Sequence, residues 1–257
     1  AIEYPARNKD TYKVSDDWKL VWADEFDGDE LNLQNWTRQV LPNPYNEEWQ
    51  QYFDDERNSY VEDGYLVIKA IHTGDHHGDD QYTSGRLHTG NKHAWKYGKI
   101  AARIQLPHGK GLWPAFWTLG ADIDEIGGGT RWPKCGEIDI LELYGSRDDA
   151  VVEANIHYDD GGHKMMGAEP YKLDQGIFAD NFHVFEIEWD QKQITWLVDG
   201  KPYHTTDITT PSRGEFHGEQ YILLNLAVGG KWAGSPDETT PFPALMYVDW
   251  VRVYERK

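Results

Sequence analysis

The segment GEIDILELYG, Gly136 to Gly145, sets three acids among aliphatic residues: Glu137, Asp139 and Glu142. Paired carboxyl groups suit glycoside hydrolysis, one protonated to assist the leaving group and one ionised to attack. Spacings of two and then three residues do not fit one face of a regular strand, where side chains alternate. A helix would scatter the acids around its circumference, and a short run bounded by glycines reads as a strand. Counted flat, that strand gives two mixed faces and points Glu142 into a core. One β-bulge at Ile140-Leu141 changes the count, because two residues then occupy one ladder position. Ile138, Ile140/Leu141 and Leu143 become an apolar face, and Glu137, Asp139, Glu142 and Tyr144 become the opposite face.

With the bulge, Glu137 and Glu142 stand four ladder positions apart, about 13 Å between Cα atoms at roughly 3.3 Å per residue. Leaning side chains would bring the carboxyl groups to about 5–6 Å, beside the roughly 5–5.5 Å of retaining glycosidases. Three acids so close cannot all ionise cheaply, so one is expected to stay protonated as a general acid. The plainer alternative is a solvated polar strand face, which regularly spaced acids would favour.

A bulged strand needs sheets around it, and period-two patterns supply them. Leu66, Ile68 and Ala70 alternate with Tyr65, Val67 and Lys69; Ile100, Ala102, Ile104 and Leu106 recur in the same way. So do Val152, Ala154, Ile156 and Tyr158, and Phe185, Ile187 and Trp189. Asp199-Gly200 between two strand-like runs is a hairpin signal. YILLNLAVGG and MYVDWVRVYE read as further strands. Many short strands with Gly and Pro turns, and no long helical periodicity, indicate an all-β sandwich or barrel. No repeat, low-complexity tract or Pro/Ser linker divides the 257 residues, so one domain over 1–257 is expected.

Composition narrows the function. A formal charge of −19 repels phosphate backbones and anionic surfaces, which argues against nucleic acid and highly sulfated substrates. No apolar run of membrane-spanning length occurs. The single Cys135 excludes an intramolecular disulfide and a four-cysteine zinc site, and is expected as a small buried thiol. His76, His77, Asp79 and Asp80 in TGDHHGDDQ match no established ligand spacing, so this stretch is expected to be a solvated loop. Twelve tryptophans and fifteen tyrosines suit strands, and their flat faces suit sugar rings.

EIDILE at Glu137, Asp139 and Glu142 matches the pattern E-[ILV]-D-x-x-E, and here the sequence resembles glycoside hydrolase family 16, in its laminarinase-like branch. LVWADEFDGDELNLQNW, GLWPAFWTLG, LLNLAVGGKW and YVDWVRVYE follow in the family's order, so the resemblance extends over nearly the whole chain. It implies a β-jelly-roll sandwich of two bent antiparallel sheets with an open cleft on the concave face. It also implies that Glu137 is the nucleophile, Glu142 the acid/base, and Asp139 the residue that orients Glu137 and keeps the proton on Glu142.

Trp113 and Trp117 share a strand face with Ala115 between them, and the resemblance makes them sugar-stacking residues, with Trp232 a further one. Asn46 lies in a loop similar to the family's N-N-E-x-Q-x-Y, although Glu47 stands where the second Asn is usual. Arg86 matches a family arginine that contacts sugar hydroxyls. His157, which shares a strand face with Glu153 and Asn155, resembles a family histidine on the leaving-group side. Asn225 shares a face with Leu223 and Ala227 and needs a backbone partner or the cleft.

The resemblance implies no catalytic cofactor but a structural calcium at Glu25, Gly64 and Asp249, consistent with calcium's preference for oxygen ligands. A monomer acting on β-1,3-glucan is the partner expectation. That substrate class implies a secreted or cell-surface protein, although no signal-peptide pattern is legible. Lichenases use the unbulged E-x-D-x-E spacing, which is absent. Mixed-linkage glucanases, galactan hydrolases of the same fold and non-catalytic glucan-binding modules remain rivals; the last lack the catalytic glutamates.

Overall fold

In the computed structural model, residues 7–74 and 81–257 are described; the His76, His77, Asp79 and Asp80 segment lies outside them. Alternation decides the architecture. Leu66, Ile68, Ala70, Ile100, Ala102, Ile104 and Leu106 enter one apolar core with Val152, Ala154, Ile156, Phe185, Ile187 and Trp189. Two sheets bury that core between them.

The first sheet has ten strands. Its path runs Lys201–Asp207, Gln193–Val198, His183–Trp189, Gly98–Gln105, Ala244–Arg256, Tyr65–Thr73, Gln81–Ser84 and Gln50–Tyr52. Trp18–Asp24 and Ser59–Glu62 join at Ala244–Arg256 and Tyr65–Thr73. The pairing is antiparallel as expected, except that Gln50–Tyr52 runs parallel to Gln81–Ser84. The Asp199-Gly200 hairpin forms as the sequence indicates. Both residues take left-handed φ, +50° and +75°, the conformation a two-residue turn needs to match strand twist.

The second sheet has eight strands. Its path runs His163–Gly167, Val151–Asp159, Glu137–Glu142, Leu112–Gly120, Gln220–Val228, Arg86–His88 and Thr37–Arg38, and Tyr171–Lys172 joins at Val151–Asp159. The acidic strand is therefore interior to its sheet, with a neighbour on each side. Gly136 starts it at φ +79°, a region that a side chain would strain.

Candidate active site

The bulge is where polarity sorting places it. Against Leu112–Gly120 the register slips between Asp139 and Leu141, and against Val151–Asp159 it slips between Asp139 and Glu142. Ile138, Ile140, Leu141 and Leu143 all enter the core, which leaves the three acids on the opposite face. The slip also frees the Asp139 carbonyl, and the buried Trp196 of the other sheet donates its indole N–H to it at 2.9 Å.

Register then builds the site in rows across the sheet. One row reads His157, Glu137, Leu119, Tyr221. The next reads Asn155, Asp139, Trp117, Leu223, His88, and a third reads Glu153, Glu142, Ala115, Asn225, Arg86. Trp113 follows, opposite Ala227. This face points away from the core, yet Asp139 is 2% and Glu142 7% exposed. Neighbouring side chains therefore cover these carboxyl groups, with Trp113, Tyr144 and Asn155 all meeting Glu142.

Glu142 is held by three donors. Its Oε1 accepts from the Trp113 indole at 3.1 Å and the Tyr144 hydroxyl at 3.0 Å, and its Oε2 accepts from the Asn155 amide at 2.7 Å. Burial nevertheless lifts its carboxyl above the ordinary range; the Asn155 bond opposes that rise and the charge of Glu137 adds to it. Of its partners only the Tyr144 hydroxyl can turn to accept, so a proton on Oε1 costs no hydrogen bond. That is the arrangement a general acid requires.

Glu137 accepts the Trp132 indole N–H on Oε2 at 2.6 Å, and its Oε1 is 3.9 Å from His157 Nε2. Burial, followed by the Asp139 charge, raises its carboxyl, and His157 and Trp132 oppose the rise. Asp139 is raised too, by burial and then by Glu142. A carboxylate oxygen of Glu137 and one of Asp139 lie within 4.8 Å of each other, so a single proton held by the pair relieves part of the repulsion. His157 Nε2 stands 3.2 Å from Asp139 Oδ2, and its Nδ1 meets His163 Nε2 at 2.9 Å.

The remaining candidates fall into two groups. Trp117 is tied by its indole to Asn225 at 2.8 Å, and Asn225 donates to the Tyr52 hydroxyl at 3.1 Å. Arg86 is buried rather than at the surface. Its guanidinium lies 4.9 Å from the Trp117 ring centroid, bonds Gln39 at 2.7 Å and pairs with Glu125 at 3.4 Å. Asn46 and Trp232 lie at the strand ends beyond Trp113, where the Asn46 carbonyl accepts from Lys231 N at 2.9 Å. Trp232 is exposed there, as is Trp49.

Glu25, Gly64 and Asp249 belong to the ten-stranded sheet and its turns, away from the acidic strand. Glu25 is bidentate on Arg252, and Asp249 Oδ2 pairs with Arg103 at 2.5 Å. Burial, with added repulsion from Asp10 and Glu25, still raises Asp249 despite that arginine. Calcium takes oxygen ligands, so an ion here would have to draw Asp249 away from Arg103.

Trp132, Tyr144, His163, Gln39 and Glu125 complete the site without having been assigned a part from sequence. Tyr144 carried a signal, since it falls on the polar face of the bulged strand, and Asn155 shared a face with His157. Trp132 sits in an aperiodic loop and offered only its nearness in the chain to Glu137. Cys135 is buried, as expected, and its thiol is pushed up to about 12 by burial, so it is no thiolate nucleophile.

A two-sheet β-jelly-roll with paired buried carboxyl groups in a tryptophan-lined cleft is the build of a glycoside hydrolase. The chain belongs to glycosyl hydrolases family 16, whose family model matches residues 46–252. The glucan endo-1,3-beta-glucosidase A1 of Niallia circulans is 34% identical over 265 residues, covering 93% of this chain and 38% of that protein. The beta-glucanase of Rhodothermus marinus is 35% identical, covering 92% of this chain and 85% of that one. The laminarinase catalytic domain of Thermotoga maritima superposes with a TM-score of 0.81 at 40% identity, covering 94% of this chain and 100% of that one. The chain spans 38% of the length of the Niallia circulans relative.

Proposed function

We infer that the chain is the catalytic domain of a retaining endo-β-1,3-glucanase that cleaves internal bonds of laminarin-type glucans. The observation that carries this reading is the bulge at Ile140-Leu141, which puts Glu137, Asp139 and Glu142 on the cleft face beside Trp113 and Trp117. In the first step Glu142 gives its proton to the glycosidic oxygen while Glu137 attacks the anomeric carbon. The leaving sugar departs with that proton, and a glycosyl ester forms on Glu137. In the second step Glu142 takes a proton from water, the hydroxide adds to the anomeric carbon, and Glu137 leaves as carboxylate. Asp139 shares its proton with Glu137 before substrate binds and keeps Glu142 protonated by like-charge coupling. Trp113, Trp117, Trp232, Asn46, Arg86, His157 and Asn225 bind or position the sugars.

Product analysis on laminarin, curdlan, lichenan, agarose and carrageenan tests the reading. Laminarin and curdlan should give short oligosaccharides, and lichenan cleavage would extend the specificity to mixed linkage. Activity confined to a sulfated galactan would sink it. Proton NMR of the first product should show the β-anomer. Glu142→Ser should abolish hydrolysis and leave glucan binding intact.

Calcium belongs in the same proposal, held by the Asp249 carboxylate with the carbonyls of Glu25 and Gly64, where it would supply fixed positive charge to the sheet. A melting temperature unchanged by chelator would remove it. No helix among the described residues is long and apolar enough to cross a membrane. A polymeric substrate that cannot enter a cell supports a secreted enzyme.

A further inference from the structure

Glu137, Asp139 and His157 each offer one ligand atom, and these atoms all lie within 4.8 Å of one another. His157 Nε2 is 3.2 Å from Asp139 Oδ2 and 3.9 Å from Glu137 Oε1. A tetrahedral ion with bonds of about 2.0–2.1 Å holds its ligand atoms roughly 3.3 Å apart, so these separations need only small side-chain adjustments. Asp139 Oδ2 is also buried and accepts no hydrogen bond, although His157 Nε2 is close by. The ring nitrogen and the carboxylate oxygen thus converge without an in-line proton between them, which leaves a buried polar atom unsatisfied.

Behind the ring, His157 Nδ1 contacts His163 Nε2 at 2.9 Å. If Nδ1 donates that proton to His163, the Nε2 lone pair faces the two carboxylates, and His163 fixes the tautomer as an outer-shell partner does in metal sites. The Trp132 indole holds the other oxygen of Glu137, so Oε1 is left for the ion. One imidazole with two carboxylates suits zinc or another first-row transition ion better than calcium or magnesium.

We propose that the catalytic centre doubles as a zinc-type transition-metal site, built from Glu137, Asp139 and His157 and backed by His163, and that the bound ion shuts off hydrolysis. The inhibition rests on the glucanase reading; the metal site does not. Binding displaces the proton shared by Glu137 and Asp139 and engages the lone pair Glu137 needs for attack. Trp113, Trp117 and the far end of the cleft are untouched, so glucan binding persists while turnover stops.

Calorimetric titration of zinc chloride into the chelator-stripped full chain, with calcium in excess, tests the site directly. One equivalent should bind; laminarin hydrolysis should fall in step with occupancy and recover on adding chelator. His163→Ala should weaken zinc binding about tenfold or more, and His157→Gln further still. Circular dichroism checks that the variants fold, and Glu137→Gln gives the same reading if His157→Gln does not. The site is wrong if one-equivalent binding is missing or survives both ligand substitutions unchanged. Full hydrolysis at full occupancy would overturn the inhibitory role. A chain that binds zinc but never cleaves laminarin would instead sink the glucanase reading.

Discussion

The indole N–H of Trp196 donates to the backbone carbonyl of Asp139 at 2.9 Å, across the sandwich from one sheet to the other. The carbonyl belongs to the bulge that turns Glu142 into the cleft, so a core tryptophan holds the backbone of the catalytic strand. Trp196→Phe keeps most of the ring volume and removes the donor. A buried carbonyl left unpaired costs about 1–3 kcal/mol, and at roughly 2–4 °C per kcal/mol for a chain of this size the melting temperature should fall by about 2–12 °C. Turnover on laminarin should fall as well, because the bulge sets the position of Glu142. Scanning calorimetry and kcat measured together check this; full activity in a destabilised variant would limit Trp196 to packing.

What was legible in the sequence is what period and polarity write locally. Leu66, Ile68 and Ala70 alternate inward because a strand leaves them no other face, and Ile138, Leu141 and Leu143 sort inward only if the bulge exists. Such information is contained within a few residues. Trp196 and Asp139 are 57 residues apart, and Arg86 and Glu125 are 39 apart, so only the finished fold pairs them. The parallel pairing of Gln50–Tyr52 with Gln81–Ser84 is likewise set by how the chain returns to the sheet, and neither segment encodes it. Arg86 was legible only through the family resemblance, as a sugar contact, and its guanidinium proves to lie 4.9 Å from the Trp117 ring centroid, a contact no local pattern encodes.

His88 makes stability depend on acid. Burial, and next the charge of Arg86, pushes its imidazole down to about 4, against about 6.5 in an unfolded chain. Its Nδ1 accepts the Gly90 N–H at 3.0 Å, a bond that only the neutral ring can accept. Between the two values the unfolded state binds more protons, so stability is lost as pH falls from about 6.5 to about 4. His88→Asn keeps an acceptor and removes the titration. The wild type should lose on the order of 2–3 kcal/mol more than the variant over that range. Melting curves that fall in parallel between pH 7 and pH 4 would remove His88 as the cause.

Arg86 should be sensitive to a change of shape at constant charge. Lysine in its place keeps a cation near Glu125, but it cannot lie flat on Trp117 or offer Nε to Gln39. A charge-assisted hydrogen bond is worth about 1.5–3 kcal/mol and the ring contact about 0.5–1 kcal/mol. Part of that loss should appear as a misplaced Trp117, and Arg86→Lys should lower kcat/KM on laminarin by roughly tenfold to a hundredfold. A variant within twofold of wild type would mean that Trp117 keeps its place through Asn225 alone.

Asn155 and Trp113 both hold Glu142, but only Trp113 has a ring wide enough to meet a sugar, so their substitutions should separate in the kinetics. Asn155→Ala removes the 2.7 Å donor to Oε2 and leaves the cleft surface of Trp113 intact. It should lower kcat by roughly tenfold to a hundredfold through a misaligned acid/base, with KM for laminarin little changed. Trp113→Phe removes the 3.1 Å donor to Oε1 and also narrows the aromatic face, so kcat should fall and KM should rise. Steady-state kinetics on one laminarin preparation decide between the two patterns. If Asn155→Ala raised KM while sparing kcat, Asn155 would be a sugar ligand, and the positioning of Glu142 would rest on Trp113 and Tyr144.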